Sequence, residues 1–195
     1  MEKDKTLSNW TAAINILRDD CITTQKKGIH FILSSVVIWG LILIAFMTDW
    51  PIFYKNLAIF ACSVLLMPLA LVFSKILGID FSNKKNPLTN LGIIFSVNQI
   101  VYILIAMWSF VAAPKFMIMI YAIIFGAHLM PYGWLYRSKC YFIASITIPL
   151  VALTSAIYCP LATVAISVWV MDVVFCIGLW LENRRHCASE RETVK

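Results

Sequence analysis

Residues 121–139 read YAIIFGAHLMPYGWLYRSK. The stretch opens on an apolar run, sets one histidine, His128, inside it, and follows with Pro131. Tyr132, Trp134 and Tyr136 then crowd together just before Arg137 and Lys139. Apolar residues that give way first to aromatic and then to basic ones mark a helix crossing a bilayer. Amphipathic rings favour the interface and cations the water beyond it. Five other apolar runs in the chain are read in the same way.

The composition agrees. Of 195 residues, 61% are hydrophobic and 13% charged, and the mean hydropathy is +0.83. A soluble domain carries about 25% charged residues, and a core of this size cannot hide so much apolar surface, so lipid must solvate much of it. The net charge of +6 does not point to nucleic acid, because the basic residues lie between apolar runs rather than on one face. Met1–Lys5 reads MEKDK and the first apolar run begins near Ile29, so no cleavable signal is expected and the first span should be retained. Cys21, Cys62, Cys140, Cys159, Cys176 and Cys187 form no CxxC or metal-type pairing, and no cofactor is expected.

At roughly 20 apolar residues per crossing, six spans are expected: 29–47, 57–77, 88–111, 116–135, 141–157 and 161–181. In lipid every backbone polar group must be satisfied within the segment, so these runs are helices. Asn86-Pro87 reads as a cap and first-turn proline. Of the 16 Lys and Arg residues, all but Lys55 and Lys115 fall on one side of such a six-span path. Positive residues stay inside, so both termini are expected in the cytoplasm. Trp50, Phe53, Tyr54, Trp108 and Tyr158 would mark the outer interface, and Tyr132, Trp134, Tyr136, Tyr141 and Trp180 the inner one.

Residues 1–27 are polar but patterned. Leu7, Trp10, Ile14, Leu17 and Cys21 recur at spacings of three and four, the mark of an amphipathic helix. Such a helix either lies on the anionic membrane surface or packs on the cytosolic face of its own protein. Gly28 offers the turn into the bilayer. Residues 182–195 read as a cytoplasmic tail.

The first two hairpins match at an offset of 63–64 residues: Gly28-Ile29 with Gly92-Ile93, Pro51 with Pro114, Leu66-Met67-Pro68 with Leu129-Met130-Pro131, and Ser74-Lys75 with Ser138-Lys139. Residues 28–75 and 92–139 are therefore read as a duplicated hairpin. Pro68 and Pro131 lie inside their spans, where each removes a backbone hydrogen bond and can kink its helix.

Polar groups within spans face the bundle interior. His128, Asp172, Asn98 and Gln99 all fall roughly 10–15 Å from the inner interface at the helical rise. They are expected to form one polar layer, with Asp172 facing His128 directly or through water and Gln99 or Asn98 nearby. The layer is either a binding site for a proton, cation or small polar solute, or an interhelical hydrogen bond that fixes the bundle. Gly92, Ser96, Gln99 and Ala106 share one face of the third span and read as a packing surface. No GxSxG, HExxH, phosphate-binding glycine loop or paired-carboxylate motif is present, and His186-Cys187 is too sparse for a metal site. No catalytic residue is assigned.

The order KKGIHF (26–31), PLALVFSKILGIDF (68–81), NPLTNLG (86–92) and GAHLMPYGWLYRSK (126–139) resembles a family of small bacterial multi-pass membrane proteins described only as a domain of unknown function. The likeness covers about residues 28–139. It implies a bacterial inner-membrane location and gives weight to the His128 stretch, but implies no activity.

The expectation is an all-α polytopic membrane protein. It has an N-terminal helix over 1–27, a six-helix transmembrane domain over 28–181 and a tail over 182–195. The leading functional expectation is a small transporter or channel-like protein for a proton-coupled or small polar solute. The alternative is a non-catalytic signalling or assembly module acting through the N-terminal helix and basic loops. An intramembrane enzyme ranks below both. A chain this short would gain walls from a homodimer.

Overall fold

The computed structural model describes residues 2–80 and 85–193, with side chains over 7–80 and 85–186. Lys3, Lys5, Lys84, Arg191 and Lys195 of the basic set, and Cys187, lie outside the described side chains. Among the described residues every regular element is a helix. Helix α1 (Glu2–Gln25) leads through a short 3-10 turn into α2 (Ile29–Met47). Two shorter helices follow, α3 (Ile52–Ser63) and α4 (Leu66–Leu77), then α5 (Pro87–Ala112), α6 (Met117–Ala127), α7 (Met130–Leu135), α8 (Lys139–Tyr158) and α9 (Leu161–Thr193).

Among the described residues, five helical stretches are long and apolar enough to cross a membrane. They are Leu7–Met47, whose apolar part is α2, then Pro87–Ala112, Pro114–Leu135, Lys139–Tyr158 and Leu161–His186. The pair α3–α4, bent by 40°, would make a sixth if it is one span. These lengths and compositions support an integral membrane protein.

The bend has a local cause. Pro68 has no N–H to donate to the Val64 carbonyl, and the helix is interrupted at Val64-Leu65, one turn earlier. Pro131 stands in the same relation to Ala127, and α6 gives way to α7 at His128-Leu129. Pro149, in contrast, lies inside an unbroken α8. Asn86 caps α5, its side chain accepting from Leu88 N at 2.9 Å, and Pro87 occupies the first turn.

Helix α2 is the centre of the bundle, packed on α9, α4 and α3, while α8 packs on both α9 and α6. Trp39, Ile42, Ile59, Met117, Ile118, Ile148, Val164 and Val168 are buried where these helices meet. The Trp39 ring lies 5.7 Å from both Tyr121 and Phe125. At Gly126 an added Cβ would stand 2.4 Å from Pro149 Cδ, so the glycine sets how closely α6 and α8 approach. Helix α5 is peripheral. It rests on α6, α7 and α1 and leaves most of its length uncovered.

The N-terminal helix divides. Its second half is docked on the bundle, with Cys21 and Ile22 buried. Arg137 Nη1 lies 2.9 Å from Asp19, Asn86 Nδ2 donates to Leu17 O and Asp20 Oδ2, and Arg18 lies over the Trp134 ring. Its first half leaves Leu7 and Trp10 exposed. At the joint to α2, Lys26, Lys27 and Gly28 have φ of 46°, 53° and 70° in succession. Two lysines in this left-handed region are unusual and are held by long-range contacts. Lys26 Nζ donates to Leu77 O and Asn183 Nδ2 to Lys26 O, while Lys27 Nζ pairs with Glu182 at 3.0 Å.

The last helix does not end with its apolar run. Expected to stop at 181, α9 continues to Thr193, because no glycine or proline follows Gly178 to break it. Glu182 accepts from Cys140 N at 3.1 Å, and Arg184 covers the Trp180 ring at 3.8 Å.

Candidate functional site

A cavity of about 620 Å³ lies between α2, the α3–α4 break, α5 and the α6–α7 break. Its size falls within the range of roughly 300–1,000 Å³ typical of small-molecule sites. Both proline-associated breaks border the cavity, with Val64 and His128 on its wall.

His128 occupies the cap position between α6 and α7. Its ring lies 5.8 Å from Phe125 and 6.2 Å from Tyr132, and its Nδ1 is buried without a hydrogen-bond partner. Gln99 also lines the cavity. So do Gly92, Ser96 and Ala106, so the small-residue face of α5, expected to pack against a neighbouring helix, is a cavity wall instead. Ser96 Oγ lies 2.6 Å from Tyr132 Oη, which also donates to Gly92 O at 3.0 Å.

The single polar layer does not form as expected. Asn98 is exposed on the outer face of α5, where its amide donates to Tyr102 Oη at 3.3 Å. One residue is about 100° of helix rotation, so adjacent Asn98 and Gln99 cannot both face the cavity. Asp172 is fully buried but takes its hydrogen bond from Ser35 of α2 at 2.8 Å, not from His128. Its Oδ1 has no hydrogen-bond partner. Ser35 lines the cavity and so stands between it and Asp172. Ser35 Oγ is also 2.8 Å from Ile32 O.

Sequence reasoning missed a second polar cluster, at the cavity end nearest α1. Tyr136 Oη donates to Gln25 Oε1 at 2.7 Å, Gln25 Nε2 to Thr89 Oγ1 at 3.0 Å, and Tyr141 Oη to Lys27 O at 2.8 Å. Tyr136 and Tyr141, read as interface aromatics, are buried instead. Gly28 sits where these rings converge, with Tyr141 Oη 3.2 Å and Tyr136 3.3 Å from where a Cβ would be. The missed signal was the spacing of Gln25, Thr89 and Tyr136, each just outside or at the end of an apolar run. His30 was also passed over. It is buried in α2, its ring 4.3 Å from Phe31.

Among the described residues, no three His, Cys, Asp or Glu side chains gather as metal ligands. The family model that matches the chain, over residues 14–182, is that of a family of unknown function, DUF7010. No curated protein and no solved structure matches the chain.

Proposed function

We propose, from the premise that the chain belongs to DUF7010, a family of unknown function, that it is a small transporter or channel-like protein of the bacterial inner membrane. In this reading α3–α4 is one broken span, six spans cross the bilayer, and both termini face the cytoplasm. The observation that carries the reading is the cavity that reaches both His128 and Gln99. His128 and Gln99 contact the solute. Asp172, reached through Ser35, accepts and releases a proton coupled to its passage.

The helix breaks at Val64-Leu65 and His128-Leu129 fall at the offset of the sequence repeat, which supports a duplicated hairpin in the same orientation. The uncovered length of α5 leaves room for a second copy in a homodimer.

Reconstitution into liposomes holding a pH-sensitive dye tests the proposal. Proton flux above that of protein-free vesicles, lost in Asp172→Asn and His128→Ala at unchanged yield of folded protein, is the expected result. Flux equal to empty vesicles refutes it. If Asp172→Asn lowers only the yield of folded protein, its hydrogen bond to Ser35 serves the bundle alone.

The exposed Leu7 and Trp10 at the free half of α1 favour a second reading, an assembly module that engages partners through this helix. Deleting residues 1–14 would then abolish function while leaving flux and folding unchanged.

A further inference from the structure

The cavity is shut at one end and open at its side. The closed end is the buried cluster of Gln25, Thr89, Tyr136 and Tyr141, joined by the hydrogen bonds given above. The side of the cavity is of another kind. Among its apolar lining residues, Val64, Met67, Ile93, Val97 and Ile100 are 52–75% exposed, and Ser96 is exposed beside them. Val64 lies at the α3–α4 break, Met67 in the first turn of α4, and the others in the first half and middle of α5. Helix α4 packs on α2 and α5 on α6, but α4 and α5 do not pack closely on each other. An entrance framed by apolar side chains midway along apolar helices opens into hydrocarbon rather than water.

Charge narrows the occupant further. Among the described residues, no Asp, Glu, Lys or Arg lines the cavity. Its polar groups include His128, Gln99, Ser96 and Tyr132. A fully charged head group brought here would find no counter-ion and would lose its water. The lining runs along α5 from Thr89 to Ala106, about 25 Å at the helical rise, which suits a chain-shaped molecule.

We propose that the cavity is a site for an uncharged lipid. Its hydrocarbon chain enters sideways from the bilayer between α4 and α5, and its hydroxyl or carbonyl head is hydrogen-bonded by His128 and Gln99. The inference rests on the transporter reading and names the class of solute. His128 and Gln99 both line the cavity, and each can hydrogen-bond such a head. Phe31, Trp39 and Phe125 line the apolar section.

The test is photolabelling of the full-length protein in lipid nanodiscs with a 16-carbon alcohol bearing a diazirine on its chain, with adducts mapped by mass spectrometry. The expected adducts fall on Phe31, Trp39 and Phe125, within the cavity. Val97→Trp, at an already exposed position, blocks the entrance and lowers these adducts at least fivefold without lowering the melting temperature. The same chain ending in a phosphate labels the cavity at least fivefold less. Adducts confined to outward-facing residues such as Val101 and Leu104 overturn the proposal, as does equal labelling by the phosphate probe or labelling unaffected by Val97→Trp.

A parallel measurement separates this proposal from the transporter reading. Gln99→Cys is exposed to a membrane-impermeant thiol reagent and modification is read at residue 99. No modification accompanied by alcohol adducts supports the lipid site. Modification without cavity adducts overturns the lipid but leaves an aqueous solute path intact. If neither reagent reaches the cavity, both readings fail.

Discussion

Gly126→Ala adds one methyl group at the contact on which the α6–α8 seam depends. The new Cβ would lie 2.4 Å from Pro149 Cδ, 2.7 Å from Pro149 Cγ and 3.1 Å from Ile148 Cβ. Carbon atoms pack at about 3.5–4.0 Å, so the helices must part by about 1 Å. A proline ring has no rotamer by which to move aside, unlike the end of a leucine. Parting also forfeits a quarter to a half of the dispersion energy of each atom pair along the seam. Overpacking of this kind costs about 1–3 kcal/mol, against which alanine's better helix propensity returns at most about 1 kcal/mol. A net loss of about 2 kcal/mol corresponds to a melting temperature lower by about 4–8 °C for a chain of this length. The assay is thermal unfolding of purified protein in detergent, followed by circular dichroism. Gly92→Ala is the control, because its added Cβ meets only the flexible end of Leu135, Cδ2 at 3.3 Å, and with the same gain in helix propensity it should melt at the parent temperature or up to about 4 °C above it. The reasoning is refuted if Gly126→Ala melts at or above the parent temperature, or if the two variants fall equally.

Asn86→Ala removes the α5 cap and two of the hydrogen bonds that tie the start of α5 to α1, leaving that between Gln25 and Thr89. It should cost about 2–3 kcal/mol and speed tryptic cleavage at Arg18, and an unchanged cleavage rate would count against the docking role. Glu182→Gln breaks a pair in which Lys27 is almost buried, an expected loss of about 3 kcal/mol. Asp19→Asn breaks an exposed pair and should cost less than about 1 kcal/mol. Equal melting losses would contradict this ranking.

The sequence reveals depth along a helix more readily than rotation about it. His128 and Gln99 line a common cavity. Asn98 sits at the same depth as Gln99, yet faces outward because one residue turns the helix by about 100°. Asp172 fails to meet His128 for the same reason. The rotation of α9 presents it to α2, where Ser35 waits at a matching depth, and no periodicity within α9 names that neighbour. Tyr136 and Tyr141 show a different limit. Aromatic residues beside basic ones suit a lipid interface and a buried seal equally well, and only the fold of Gln25 and Gly28 over them decides. The helix breaks were more legible, because proline acts through its own backbone.

The joint at Lys26–Gly28 bears on the order in which the protein is made. Lys26 and Lys27 hold a backbone conformation that costs about 1–2 kcal/mol per residue. The groups that hold it arrive late: Leu77 lies 51 residues further along, Tyr141 114, Glu182 155 and Asn183 157. While the ribosome is still adding helices, only Leu77 of these four holders has been made. The joint therefore reaches its final geometry only once α8 and α9 are in place, although the rest of α1 can already rest on Asn86 and Arg137. A chain truncated before Glu182 would keep those contacts but lose the ones from Glu182 to Lys27 and from Asn183 to Lys26.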